Sequence, residues 1–541
     1  MSVAKSSFLF AAGTLLSRIS GLIRDMVVVG VFGASALLDA FLVAFRIPNL
    51  LREMLAEGAL GSSFTKVYSE LMEKDRARAQ QVLVDCIWLF TLVSIIVCFL
   101  GIIFAPQLVG LMTLQVETAE RPEFLHNTIG LTRLLFPYLG LMIISSVVMG
   151  ALHQGGRFFL SAFAPVGFNL GFILGAWLLA DLMAKWDSPW VREYLGEPRI
   201  VGLAIGVLLG GLAQLIMQGS SLAKLIFQKL PQAFGRRIWN EETRKVVKLM
   251  LPASIAASAG PINVFINTNF ATSLGDGAVS WLNFAFRLLQ LPIGLFGVAV
   301  GVAVLPALSR SLARTQGKVT GEASRYLQNA TDLVAWLMML CFAFILMNHQ
   351  AIIALLFQHG KFTSADTLAT SQALYAYSFG VLGYGLIKVF TSFYYAVERT
   401  DFAMKVSLFS IFVNFTGNYL LVERFGHIGL AWTSAITLSM NAIILALGMR
   451  SFHVKLEWKG LLRSLLCLGL AVVLSILFMG LASNVMAQWD LNLPLKIEAG
   501  LQLLINGLLL VLVFAGFAAL NLKLTPQALL IRVKSGLRRK K

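Results

Sequence analysis

Apolar side chains make up 57% of the 541 residues and charged ones only 13%. Soluble domains run near 25% charged, so a soluble globular enzyme is excluded and a polytopic membrane protein is expected. The net charge of +17 clusters in short loops between apolar runs, which argues for membrane topology and against a nucleic-acid binder. Four cysteines, Cys86, Cys98, Cys341 and Cys467, fall inside apolar runs without metal-ligand spacing, so they read as packing residues and not as a disulfide framework or zinc site.

Runs long enough to span a bilayer, about 20 residues each, fall at 6–32, 35–60, 84–112, 127–152, 159–182, 200–227, 246–272, 277–307, 328–348, 367–396, 402–422, 428–449, 460–485 and 497–521. An all-α polytopic fold with 14 transmembrane helices is therefore expected. The first run meets Arg18 early and shows no small-residue cleavage site, so it reads as a retained span and not a signal peptide. Basic loops follow the sixth, eighth and twelfth runs, and the tail ends Arg538-Arg539-Lys540-Lys541. The intervening loops carry Glu117, Glu120 and Glu123, or Asp187, Glu193 and Glu197. The positive-inside bias then places both termini in the cytoplasm.

Charges interrupt the first two runs. Arg18, Arg24, Asp25, Asp39, Arg46, Arg52, Glu53 and Glu57 lie between residues 17 and 57. One charge at the centre of a membrane helix costs about 2.5–3.5 kcal/mol on the translocon scale, so this many are expected to face a wet interior. Asp39, Arg46 and Glu53 recur at i, i+7, i+14, and Asn49, Glu53 and Glu57 at i, i+4, i+8, which makes one polar stripe with Arg52 beside it. Pro48 predicts a kink near Ile47. The alternative is that Arg52, Glu53 and Glu57 mark a helix end at the water interface.

Residues 140–169 align without a gap on 385–414, pairing Gly140-Leu141 with Gly385-Leu386, Ala151 with Ala396 and Asn169 with Asn414. Ala44-Phe45-Arg46 pairs with Ala285-Phe286-Arg287 at a similar offset. Two six-helix pseudo-repeats around a central cavity are expected, as lobes 1–227 and 228–450, with 451–541 adding two helices and a basic tail. Arg287 lies deep in the eighth run with no carboxylate within a turn, and calls for an anion or for a structural partner such as Asp25 or Asp39. Pro292, Gly294, Gly297 and Gly301 would let that helix bend or pack closely.

No Walker A, Cys-x-x-Cys, His-Glu-x-x-His or Gly-x-Ser-x-Gly motif is present, so neither ATP-driven transport nor a recognisable hydrolase is indicated. The six histidines lie at run ends or loops, where solvated roles are expected. Arg18, Arg24, Arg46, Arg52 and Arg287 exceed Asp25, Asp39 and Glu57, so the cavity should be net positive. Arginine forks suit phosphate bidentately, which favours a phosphate- or diphosphate-bearing substrate.

Several motifs resemble the MurJ (MviN) lipid II flippases: Ser17-Arg-Ile-Ser-Gly-Leu-Ile-Arg-Asp25, Asp39-Ala-Phe, Arg46-Ile-Pro-Asn-Leu-Leu-Arg52 with Ala56-Glu-Gly-Ala59, Phe136-Pro-Tyr, Arg157-Phe, Ala164-Pro165, Asn169, Leu305-Pro-Ala-Leu-Ser309 and Phe357-Gln-His-Gly-Lys-Phe362. The resemblance implies the multidrug/oligosaccharidyl-lipid/polysaccharide exporter fold in the bacterial inner membrane. It also implies translocation of an undecaprenyl-diphosphate-linked disaccharide-pentapeptide for peptidoglycan synthesis. By position, Arg24, Asp25, Arg52 and Arg287 match the family's central-cavity residues, with Arg18 and Asp39 among those it needs. The last two helices would form its lipid-tail groove. Phe286 and Gln290 stand where some relatives carry acids. The sodium site of some relatives pairs an Asn with an Asp one turn apart; here Asn414 and Asn418 have that spacing without a carboxylate, and Thr433 is a further candidate. No cofactor is implied, and coupling would come from membrane potential or a monovalent ion. Lipid II, membrane lipids and cell-wall synthesis proteins are the expected partners. The other readings are a flippase for another undecaprenyl-diphosphate-linked saccharide, a membrane enzyme acting on the lipid-linked precursor, and a non-catalytic scaffold.

Overall fold

The computed structural model describes residues 3–114, 116, 121–226, 238–315, 319–452, 454, isolated positions between 466 and 477, and 494–520. Those residues form helices, with no β-strand among them. Eight helical segments are long and apolar enough to cross a bilayer, or up to ten if two bent pairs, at 49° and 46°, each count as one span. Most of the thirteenth expected run, together with Cys467 and the basic tail, lies outside the described residues. The chain divides into two compact units: Met1–Ser280 with His359–Phe362, and Trp281–Gln358 with Thr363–Lys541.

In the first unit, α1 (Val3–Phe32) and α2 (Ala36–Arg52) carry the charged stretch, and the Ser35 hydroxyl caps α2 by accepting from Leu38 N–H. Proline does not break α2. The α-helix runs through Pro48 to Arg52, and the irregularity comes just after it as a π-helical stretch, Glu53–Leu60, before α3 (Gly61–Lys74). Ser146 Oγ donates to the Ala56 carbonyl at 2.6 Å, supplying a partner within the stretch where the regular i→i−4 ladder is interrupted. Next come α4 (Arg76–Ile103), α5 (Ala105–Met112) and the long α6 (Pro122–Gln154), which packs on α2, α3 and α4.

Small residues set the tightest seam of this unit. The fifth expected span forms α7 (Phe158–Phe163), α8 (Pro165–Leu174), a π-helical stretch at Gly175–Leu179 and α9 (Ala180–Trp186). A short α10 (Pro189–Tyr194) precedes α11 (Pro198–Gly219). A Cβ on Gly171 would lie 2.3 Å from the Gly210 backbone, and one on Gly206 would lie 2.4 Å from Gly175 Cα. Only glycine permits this backbone-on-backbone approach, the usual way membrane helices associate without a hydrophobic driving force. Then α12 (Glu241–Ala257) starts from an Asn240/Thr243 capping box and leads into α13 (Ala259–Thr272). Bidentate Arg78–Glu242 contacts of 2.8 and 2.7 Å, Lys245–Glu70 at 2.7 Å and Asn240–Asp85 at 2.8 Å tie its start to α3 and α4.

α14 (Ala278–Pro292) begins at the boundary of the units, and Pro292 is followed by a π-helical stretch, Ile293–Gly297, and α15 (Val298–Arg314). The second unit adds α16 (Gly321–Phe357), α17 (Ser364–Ser378), α18 (Val381–Ala396), α19 (Thr400–Gly448) and α20 (Leu495–Leu520). Within α19, Gly426 sits at φ 54°, ψ −137°, a kink that joins two helical halves. The π-helical stretch meets α18 through Gly297 on Gly385, and α15 meets it through Gly301 on the Lys388 carbonyl, where an added Cβ would sit at 3.2 and 2.8 Å. α20 packs on α16 through Trp336, Ala343, Leu510 and Phe514, with the Asn506 amide donating to Asn348 Oδ1 at 2.6 Å.

Candidate functional site

Arg24 is the best-held cation of the first unit. Its Nε and Nη2 donate to Asp25 Oδ1 at 3.0 and 2.8 Å, Nη1 donates to Asn169 Oδ1 at 3.0 Å, and its guanidinium carbon lies 4.9 Å from the Phe172 ring centroid. Asn169 is fixed in turn, donating to Ser17 O at 3.1 Å and Ser20 Oγ at 2.8 Å. The periodicity of α1 brings Ser17, Ser20 and Arg24 to one face, and Pro165 starts the helix that presents Asn169 to it. Behind this cluster Phe41, Phe45, Tyr138, Phe168 and Phe172 stack in a chain of ring contacts with centroids 5.3–6.0 Å apart. The result is a rigid guanidinium set in an aromatic wall, a geometry suited to an oxyanion.

At the far end of α2 a second polar group forms. Arg52 Nε donates to Asn49 Oδ1 at 3.0 Å, the Asn49 amide donates to Glu53 Oε1 at 2.7 Å, and Arg52 Nη2 lies 4.0 Å from that same carboxylate. Arg46 is half-buried on the same helix, and Arg18 is exposed on α1. The side chain of Glu57 lies outside the described residues. Asp39 is placed differently from the polar stripe expected of it. It is 1% exposed and accepts from Gly277 N–H at 2.7 Å, Ser280 N–H at 2.8 Å and Ser280 Oγ at 2.5 Å. Its carboxylate takes up the orphan donors that open α14.

Arg287 is half-buried in the second unit, beside Phe286, whose ring lies 5.4 Å from Tyr377, and Gln290 is exposed. The next turns of the same helix, Leu288, Leu291 and Pro292, line an apolar cavity of about 730 Å³. Phe296, Phe344 and Leu504 complete its wall from the π-helical stretch, α16 and α20. Sequence periodicity did not single out this cavity, because its lining is apolar throughout.

The sodium candidates lie close together in α19. Asn414, Asn418 and Thr433 are buried in α19, and an added Cβ on Gly417 would touch Thr433 Cγ2 at 2.6 Å. Asn418 Nδ2 donates to Asn414 Oδ1 at 3.4 Å and Thr433 Oγ1 donates to Gly429 O at 3.0 Å. No carboxylate joins the set, and no cluster of three acidic, histidine or cysteine ligands occurs among the described residues. Three of the six histidines depart from the solvated role expected of them, while His126 is exposed: His153 bonds Ser161 at 2.9 Å, His359 bonds Met26 O at 2.9 Å and His427 bonds Ala369 O at 3.0 Å. Sequence reading passed over Lys388 in α18, although it is the one cation in the apolar run Val381–Ala396.

Residues 28–500 match the family model described as lipid II flippase MurJ. A lipid II flippase MurJ of Burkholderia cenocepacia is 31% identical over 476 residues, covering 85% of this chain and 87% of the relative. A probable lipid II flippase MurJ of Bdellovibrio bacteriovorus is 31% identical over 523 residues, covering 95% and 94%. Among solved structures, a lipid II flippase MurJ in an inward closed conformation superposes with TM-score 0.75 at 23% identity, covering 95% of this chain and 98% of that one. An inward-facing MATE-family transporter of the MOP superfamily gives TM-score 0.59 at 16% identity. The helical fold, the Arg24 cluster and these matches agree: the chain is a multi-pass membrane protein that belongs to the lipid II flippase MurJ family of transporters.

Proposed function

We propose that this chain moves lipid II from the cytoplasmic to the periplasmic leaflet of the bacterial inner membrane by alternating access. One observation carries the reading. A single helix, α14, bears the cation Arg287 and, from the next residue on, the wall of a 730 Å³ apolar cavity. A binding surface that changes from cationic to wholly apolar within one turn suits an amphiphile with an anionic head and a long hydrocarbon tail. In this reading Arg24, Arg52 and Arg287 hold the diphosphate, Arg46 and Arg18 add positive field, Asn49 orients Arg52, and Asp25 orients Arg24. The tail runs in the cavity against α16 and α20.

The remaining expectations belong to the same proposal. Fourteen spans are obtained when the charged helices α1 and α2, the two halves of α19 and the thirteenth run are added to the apolar spans. Both termini then lie in the cytoplasm, and lobes 1–227 and 228–450 rock about the site with 451–541 as the tail-binding addition. No cofactor takes part. Membrane potential, at about 2.3 kcal/mol per charge per 100 mV, favours resetting a positively charged empty site. Cell-wall synthesis proteins are the partners that would supply and consume the lipid.

Native mass spectrometry of purified protein with lipid II, against a diphosphate-linked saccharide lacking the peptide, tests the reading. Lipid II retained by wild type, lost in Arg24→Ala and Arg287→Ala, and resistant to the competitor is the expected result. Equal competition would instead favour a flippase for another undecaprenyl-diphosphate-linked saccharide, and equal binding in both variants would reduce the arginines to structural roles.

A further inference from the structure

Lys388 lies within α18, eight residues before its end at Ala396, about 12 Å along the axis at 1.5 Å per residue. A lysine inside a membrane helix ordinarily snorkels, carrying its ammonium to the nearer interface. Here the Nζ lies 5.0 Å from the centre of the Tyr384 ring, one turn back toward Val381, so the charge is directed toward the bend between α17 and α18 and away from the end at Ala396. No carboxylate lies within ion-pair distance of it among the described residues.

The backbone beneath it is fixed. Ser392 Oγ donates to the Lys388 carbonyl at 2.9 Å, and Gly301 of α15 approaches that carbonyl so closely that an added Cβ would sit 2.8 Å away. Nor does the helix need a cation there. The internal repeat that lays 140–169 on 385–414 places Lys388 on Ile143, which is 3% exposed and apolar. A charge that costs about 2.5–3.5 kcal/mol to insert, carried on a fixed backbone and supported by one aromatic ring, is set to receive an anion.

We propose that Lys388 is a second-unit anion-binding residue that pairs with an oxyanion of the transported headgroup. The inference rests on the lipid II reading, whose headgroup carries two kinds of oxyanion, the diphosphate and the carboxylates of the pentapeptide. Lysine is a compact point charge without a planar fork, so it suits either.

Binding of lipid II and of undecaprenyl diphosphate to wild type, Lys388→Met, Lys388→Gln and Lys388→Arg is to be measured by native mass spectrometry, from nanodiscs of phosphatidylethanolamine alone or with phosphatidylglycerol. Both neutral variants should weaken lipid II binding by about ten-fold or more, with Arg within about three-fold of wild type and thermal midpoints unchanged. Weakening of both ligands assigns Lys388 to the diphosphate; weakening of lipid II alone assigns it to the peptide carboxylates. Unchanged lipid II binding in the Gln variant overturns the proposal. So does a loss confined to co-bound phosphatidylglycerol, which would make the site one for bulk phospholipid. If wild type itself fails to bind lipid II, the function reading fails first, and the two failures are told apart by that control.

Discussion

Asn169 and Asn414 hold equivalent places in the internal repeat, and the two units use them differently. In the first unit Asn169 Oδ1 accepts from Arg24 and its amide is anchored on Ser17 and Ser20. In the second, Asn414 Oδ1 accepts from the neutral amide of Asn418. One fold position thus orients a cation in one unit and makes a neutral contact along its own helix in the other. A repeat conserves backbone packing more readily than it conserves electrostatics, so an anion-binding function can be built unevenly on two similar scaffolds.

Removing the cation should break this comparison most severely. Arg24→Ala, assayed for lipid II translocation in sealed proteoliposomes, is expected to lose about 100-fold or more, because a charge-assisted oxyanion contact in a low-dielectric site is lost and Asp25 is left without its partner. Arg24→Lys should recover only part, since a point charge cannot serve Asp25, Asn169 and a substrate oxyanion together. Asn169→Leu should leave the charge and loosen its aim, costing about ten-fold in translocation with the protein still folded.

Asp39→Ala should act on stability. It strips three donors of their acceptor in a buried setting, at about 2–4 kcal/mol, read as a lower thermal midpoint in detergent. On the neutral side of the comparison, replacing sodium with potassium should leave wild-type translocation unchanged, while Asn418→Asp, which supplies the missing carboxylate, should bring sodium-dependent stabilisation. The smallest effect concerns pH. The Lys245 ammonium holds the Glu70 carboxyl below the usual carboxylate range. That contact contributes above the ordinary carboxyl value of 4.5 and is lost as pH falls through the lower folded-state value. Hydrogen exchange at the start of α12 should therefore rise only under acidic conditions.

Much of this was legible in the sequence. Apolar runs located the helices because lipid demands continuous hydrophobicity, and Arg24 stood out because charge inside such a run is expensive. Asn169 entered only as a repeat identity and a family match. Its bond to Arg24 spans 145 residues, which no local pattern reveals. Asp39 was recognised as important, but its role as acceptor for Gly277 and Ser280 depends on a turn 238 residues away. Pro48 announced an irregular helix, yet the register change falls at Glu53–Leu60. Lys388 was visible as a lone cation and passed over, although its i−4 spacing from Tyr384 is local; the close approach of Gly301 to its carbonyl is the part that only the tertiary structure supplies.

The most direct test of the central claim is lipid II translocation by the reconstituted wild-type protein, beside Arg24→Ala and Arg287→Ala, with headgroup exposure read on the far side of a sealed bilayer. Protein-dependent translocation that both variants abolish, while both still fold, is the expected result. Translocation that persists in both variants would contradict an account in which these two arginines hold the diphosphate.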